Sequence, residues 1–231
     1  MTRINFSLIF CALATCATLA QAHDAWIAPV AGPVYPVHYG HKEPGPFPGK
    51  KVQAVRILDA QQTELLATVT PGEQGADVAV DGTPAMMLVY FDNGFWVKEA
   101  GGSRNVSKLE APAAISGSRP LKWGKTITQW TAWSGVPMGQ RIEIIPVGVS
   151  AAPRAGSKMT VKVLLNGKPL AGAMVENNSN ETGPKTNAAG LATLTLTSGQ
   201  QRLAVDHDIP LKNDPKTDKI VLNASLVFLA Q

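Results

Sequence analysis

Short apolar runs, separated by turns bearing glycine and proline, recur along the whole chain. No long segment carries a helical period with caps at its ends. Alternation of apolar and polar positions between turn signals predicts an all-β protein. In the first half the pattern predicts strands at 34–39, 51–58, 65–70, 85–91 and 94–98. Asp92-Asn93-Gly94 is expected as a hairpin turn between the last two. The stretch 103–124 mixes charge, alanine and proline, and a short helix is expected near 106–110. Strands resume at 125–133 and 140–147. The small residues of 150–157, with Pro153 and Gly156, read as a linker. Beyond it, 158–165, 173–176, 191–197, 200–206 and 220–228 are expected as strands. Their number in so short a piece predicts a small Greek-key sandwich. The expected organisation is two β-sandwich domains, 23–150 and 157–231.

The first 22 residues are set apart from this pattern. Arg3 is followed by an apolar run from Leu8 to Ala20, too short for a comfortable membrane span, and then by Ala20-Gln21-Ala22. This is the form of a secretory signal peptide cut after Ala22, and it predicts export. A lipoprotein leader ending at Cys16 is the alternative. Both cysteines, Cys11 and Cys16, fall in this piece. The remainder therefore has no thiolate for a metal, a disulfide or a nucleophile. Any metal there must be held by imidazole, carboxylate, thioether, backbone or amine.

Charge narrows the partners. There are 21 lysines and arginines against 17 acids, with no basic run suited to nucleic acid. No second apolar stretch is long enough to span a bilayer as a helix. Enzyme signatures such as Gly-x-Ser-x-Gly, His-Glu-x-x-His or a phosphate loop are missing, and a non-enzymatic protein is expected.

Four histidines remain as candidate ligands: His23, His38, His41 and His207. Cleavage after Ala22 would make His23 the first residue. Its free amine and imidazole could then chelate one ion, with Asp24 alongside. His38 and His41 stand three apart in VHYGHKEPGPFPG and can meet only if the chain turns at Gly40. His207 lies between Asp206 and Asp208, and an imidazole from the second domain would place a site between domains. The plain alternatives are a solvated first residue, a strand-end histidine and a charged turn. The five tryptophans include Trp123, Trp130 and Trp133, which are either packing residues or a carbohydrate platform. The methionines Met86, Met87, Met138, Met159 and Met174 are dispersed and read as core.

Two resemblances add to this reading. LNGKPLAGAMVE followed by TNAAGLATLTL resembles transthyretin-like and carboxypeptidase-regulatory-like domains, with Asn187 where aspartate is common. That likeness implies a fold and no particular function. The opening Ala22-His23-Asp24-Ala25-Trp26-Ile27-Ala28-Pro29, the Tyr39-Gly40-His41 step, His207 and the final run 224–228 resemble a bacterial periplasmic DUF-type family. Its members are regarded as NikM-like periplasmic components of nickel or cobalt uptake. The resemblance implies a periplasmic nickel- or cobalt-binding protein accessory to a membrane permease. The expected ligand set is His23, His38 or His41, and His207, with Asp24 or Asp208 in support. Copper clamped by an N-terminal histidine brace is one alternative. A metal-free adhesion or carbohydrate-binding module is another.

Overall fold

The computed structural model describes residues 23–178 and 182–231. The expected leader, with Cys11 and Cys16, lies outside the described residues. The protein is all-β. Its strands are β1 (Asp24–Ile27), β2 (Val34–Gly40), β3 (Val52–Leu58), β4 (Glu64–Leu65), β5 (Ala67–Pro71), β6 (Ala76–Val80), β7 (Met86–Asp92), β8 (Trp96–Glu99), β9 (Gly102–Arg104), β10 (Ser116–Ile127), β11 (Ile142–Pro146), β12 (Lys158–Leu165), β13 (Lys168–Pro169), β14 (Glu176–Asn177), β15 (Leu191–Thr195), β16 (Gly199–Pro210) and β17 (Lys219–Ala230).

They form three sheets. A first sheet runs β1-β2-β6-β5. A large central sheet runs β14-β16-β17-β10-β7-β3-β4, with β8 paired to β10 and β9 to β8. A third is built from β11, β12, β13 and β15. The central sheet is buried on both faces, which is why β7, MMLVYFD, shows no alternation before its closing Asp92. Met86 and Leu88 enter one core, against the third sheet. Met87, Val89 and Phe91 enter the other, against the first sheet. Each such side chain, once fully buried, stabilises the fold by about 1.5–3 kcal/mol.

Several expected elements take a different form. Asp92-Asn93-Gly94 does turn, with Gly94 at φ 75° and its N–H donating to the Asp92 carboxylate. The two strands it joins nevertheless do not pair with each other. Both lie along β10, β7 at 121–127 and β8 at 116–118, because that twelve-residue strand is long enough to carry them end to end. Residues 128–133, expected as strand, are loop, and the strand instead reaches back to Ser116 through a stretch that shows no clear alternation. The short helix is a single 3-10 turn, Lys108–Glu110, closed by a capping box between Ser107 and Glu110. β1 and β6 were not anticipated as strands. The small-residue segment 150–157 connects β11 to β12, which are antiparallel neighbours in one sheet. The central sheet itself takes strands from both sides of that segment: β10 pairs in parallel with β17 in continuous register from Ser118–Lys219 to Thr126–Val227.

A buried ion pair ties the central and third sheets. Lys125 Nζ lies 2.5 Å from Glu143 Oε1, and both side chains are 1% exposed. The Glu143 oxygen also accepts the Met138 N–H. Burial pushes the Lys125 ammonium below the usual lysine range, and Glu143 opposes that shift.

Candidate functional site at the first strand

β1 is the edge of the first sheet, and its free edge rests on the face of the central sheet. An edge strand leaves alternate carbonyls without a ladder partner. Here side chains of β10 and β17 supply the donors. Lys122 Nζ bonds the His23 carbonyl, Ser225 Oγ the Ala25 carbonyl at 3.0 Å, and Thr126 Oγ1 the Ile27 carbonyl at 2.6 Å. Gly124 lies beneath, where a Cβ would sit 2.2 Å from the Ala25 carbonyl oxygen. The polar phase of β10 (122, 124, 126) and the Asn223 and Ser225 interruptions of β17 are thus a receptor for a strand's main chain.

The two faces of β1 differ. Ala25 and Ile27 enter the apolar core shared with Val37, Val89 and Phe91. Asp24 and Trp26 point the other way, toward β16. Asp24, 3% exposed, pairs with Arg202 at 3.0 Å and accepts a hydrogen bond from Asn223 at 3.0 Å. The Arg202 guanidinium lies over the Trp26 ring, 4.4 Å from its centroid. His38 meets the same ring edge-on. Burial raises the Asp24 carboxyl to about 6, against the opposing pull of Arg202, Asn223 and Lys122. Burial lowers the His38 imidazole, and the charge of Arg202 lowers it further.

The end of this strand is where the candidate ligands gather. The β1–β2 ladder ends on the pair Asp24–Gly40, so His23 and His41 follow it on the two strands, across from each other. The His23 ring stacks on Tyr39 at 5.0 Å and 9°, and Tyr39 stacks in turn on Phe91 at 5.1 Å and 10°. His41 is buried at 8% exposure. Gly40 turns the chain there: a Cβ on it would meet the Glu43 carbonyl at 2.2 Å. Beneath lies a cross-strand row, Asp206 on β16, Asn223 on β17 and Lys122 on β10. Asn223 donates to Asp206 at 3.0 Å. Loss of water raises the Asp206 carboxyl, while the positive charges of Lys122 and His41 work against that rise. Lys122 is itself 2% exposed, and burial lowers its ammonium against the pull of Asp206 and Asp24.

The structure thus brings His23, Asp24 and His41 to one end of β1, with His38 two rungs along. It sends His207 elsewhere. β16 runs in unbroken register with β17, and its odd positions Leu203, Val205 and Ile209 pack toward the third sheet. His207 shares their face, while Arg202 and Asp206 share the other. Asp208 forms an exposed ion pair with Lys219 at 2.5 Å. Among the described residues no three histidine, cysteine, aspartate or glutamate side chains lie close enough together to hold a metal ion. The tryptophans do not form one platform: Trp123 stacks on Tyr90, Trp130 packs edge-on against Phe228, and Trp133 donates to the Ala60 carbonyl. Lys122, Arg202, Asp206 and Asn223 were not among the expected site residues. Their signal was the polar phase inside otherwise apolar strands.

These features define a class: an all-β protein of stacked sheets whose first strand is clasped edge-on by buried polar groups. The chain belongs to the DUF4198 family, described as a domain of unknown function, which it matches over residues 20–208. It is also 28% identical over 216 residues to an uncharacterized protein of Haemophilus influenzae, with 93% of each chain covered. No solved structure matches it. No helix among the described residues is long and apolar enough to cross a membrane.

Proposed function

We propose that the protein binds a divalent transition metal, nickel or cobalt, in the bacterial periplasm and presents it to a membrane permease. The observation that carries this reading is the end of the β1–β2 ladder. It sets His23 and His41 across from each other just beyond the last rung, with the charge of Asp206 felt by His41 and the His23 main chain tethered by Lys122. Side chains alone do not complete a metal site there. The reading supplies the further donor from the chain itself: a cut between Ala22 and His23 frees an amine on the residue that already carries an imidazole. Nitrogen donors of this kind suit nickel, cobalt and copper, and supply in the compartment selects among them. His207 has no part in this set, because it lies on the far face of β16.

The test is calorimetric titration of protein beginning at His23 with nickel, cobalt and copper, paired with mass determination of the N-terminus. Binding of one ion per chain is expected. Placing Gly-Ser before His23, or making His23→Ala or His41→Ala, should weaken it by about tenfold or more, roughly 1.4 kcal/mol. His207→Ala should leave it unchanged. Absence of uptake at micromolar metal, or equal affinity with and without the extension, overturns the reading. A type-2 Cu(II) spectrum lost on extension, with no nickel or cobalt bound, would move the site to copper.

A further inference from the structure

On the side of the molecule away from His23, a cleft of about 570 Å³ opens where the first sheet meets the ends of β16 and β17. Its lining has a distinctive chemistry. No ionisable acid or base side chain and no histidine contributes to it. Its surface comes from prolines, aliphatic groups, Trp130 and Tyr35, with Gln129, Gln200 and Gln231 and the hydroxyls of Thr83 and Thr128 among them.

The walls are rigid. Trp130 is half-buried and held edge-on against Phe228 at 5.4 Å and 83°. Thr128 Oγ1 donates to the Pro84 carbonyl at 2.5 Å, and the Thr128 and Gln129 N–H groups both donate to the Ala85 carbonyl. The polar groups, by contrast, are left available. Tyr35 is 6% exposed, yet among the described residues its hydroxyl makes no hydrogen bond within the chain. The hydroxyl oxygen is not among the buried unpartnered atoms, so the ring is covered while the hydroxyl is left open to solvent in the cleft. The side-chain amides of Gln129 and Gln200 likewise make none.

We propose that this cleft binds a neutral saccharide, with the Trp130 ring against a sugar face and the Tyr35 hydroxyl and the two glutamine amides bonding its hydroxyls. The C–H faces of a pyranose suit aromatic and aliphatic walls, and its hydroxyls suit amides, which both donate and accept. A charged ligand finds no counter-charge among the lining side chains. A purely apolar ligand strips water from the tyrosine hydroxyl and the amides without replacing their bonds. The cleft is independent of the metal reading, since none of the proposed metal ligands lines it.

The experiment titrates the full protein with cellotetraose, maltotetraose and chitotetraose in the presence of EDTA, following tryptophan fluorescence and heat. Tetragalacturonate and an apolar dye serve as charged and apolar probes. At least one neutral tetrasaccharide should bind with a dissociation constant of about 1 mM or tighter. Tyr35→Phe, which removes a single oxygen, should weaken it about fivefold to tenfold while leaving the thermal midpoint in place. Gln200→Ala, on an exposed residue, should do the same. His23→Ala should bind as the parent does. No neutral sugar bound at about 10 mM, parental affinity in both Tyr35→Phe and Gln200→Ala, or a preference for tetragalacturonate or the dye overturns the proposal.

Discussion

Gly124→Ala should detach β1 from the central sheet. The added methyl would stand 2.2 Å from the Ala25 carbonyl oxygen and 3.0 Å from Trp26 Cα, both main-chain atoms of β1, and 2.8 Å from Val89 Cγ1. No rotamer relieves a contact with backbone. The strand must rise, and three carbonyl bonds, from Lys122, Ser225 and Thr126, stretch or break together. The Asp24–Arg202 pair moves with them, and a buried charge parted from its partner is among the costliest defects a core can carry. The expected destabilisation is about 4 kcal/mol or more, at the extreme of single substitutions. Urea unfolding should show it, and hydrogen exchange should show loss of protection concentrated at 24–27. Gly75→Ala, where a Cβ meets nothing within 4 Å, is the control and should stay within about 0.5 kcal/mol of the parent. Parental stability and protection in Gly124→Ala would mean that β1 does not rest on Gly124.

The second large effect lies on the opposite face of the same strand. Lys125→Met leaves the Glu143 carboxylate fully buried with its ammonium gone, and Glu143→Gln leaves the ammonium without its anion. Each single change should cost about 3–5 kcal/mol, because the removed partner was what offset the loss of hydration. The double variant Lys125→Met/Glu143→Gln removes both charges and keeps an oxygen for the Met138 N–H. It should recover most of the loss. A double-mutant cycle by urea unfolding reads the coupling directly. Single variants within about 1 kcal/mol of the parent, or a double variant whose losses simply add, would show that the two charges are not coupled as their geometry implies.

Both predictions fall on β10, and that is instructive about what could be read from the chain. The strands 158–165 and 34–40 were legible almost to the residue, because each has one apolar face and one polar face. β10 was placed too late, at 125–133. Its sequence, SGSRPLKWGKTI, carries Arg119, Lys122 and Lys125 in a strand that the structure buries along most of its length. A polar phase normally signals water. Here one phase meets the carbonyls of β1 and the other includes a lysine meeting Glu143. Neither partner is near in sequence: Lys122 and the His23 carbonyl are separated by 99 positions, and Ser225 and the Ala25 carbonyl by 200.

The candidate site divides in the same way. His23, Asp24, His38 and His41 could be singled out because histidines are few and lie near the start. A turn at Gly40 was considered only as a way for His38 and His41 to meet; that the end of β2 sets His41 across from His23 was not foreseen. His207 was grouped with them as a possible third imidazole from the second half of the chain. Strand alternation puts it on the face of Leu203, Val205 and Ile209, away from Asp206, and only knowledge of which face of β16 the first strand covers separates the two.

By itself the sequence determined the all-β class, most strand positions, the turns and the absence of cysteine beyond residue 16. These follow from local causes: period-two alternation, the backbone freedom of glycine and simple composition. Tertiary structure alone decided that β10 runs parallel to β17, that one sheet gathers strands from both halves of the chain, and that β1 lies edge-on above it. Alternation says which residues share a face. It does not say what covers that face, because burial and hydrogen bonding between distant segments are set only when the sheets stack.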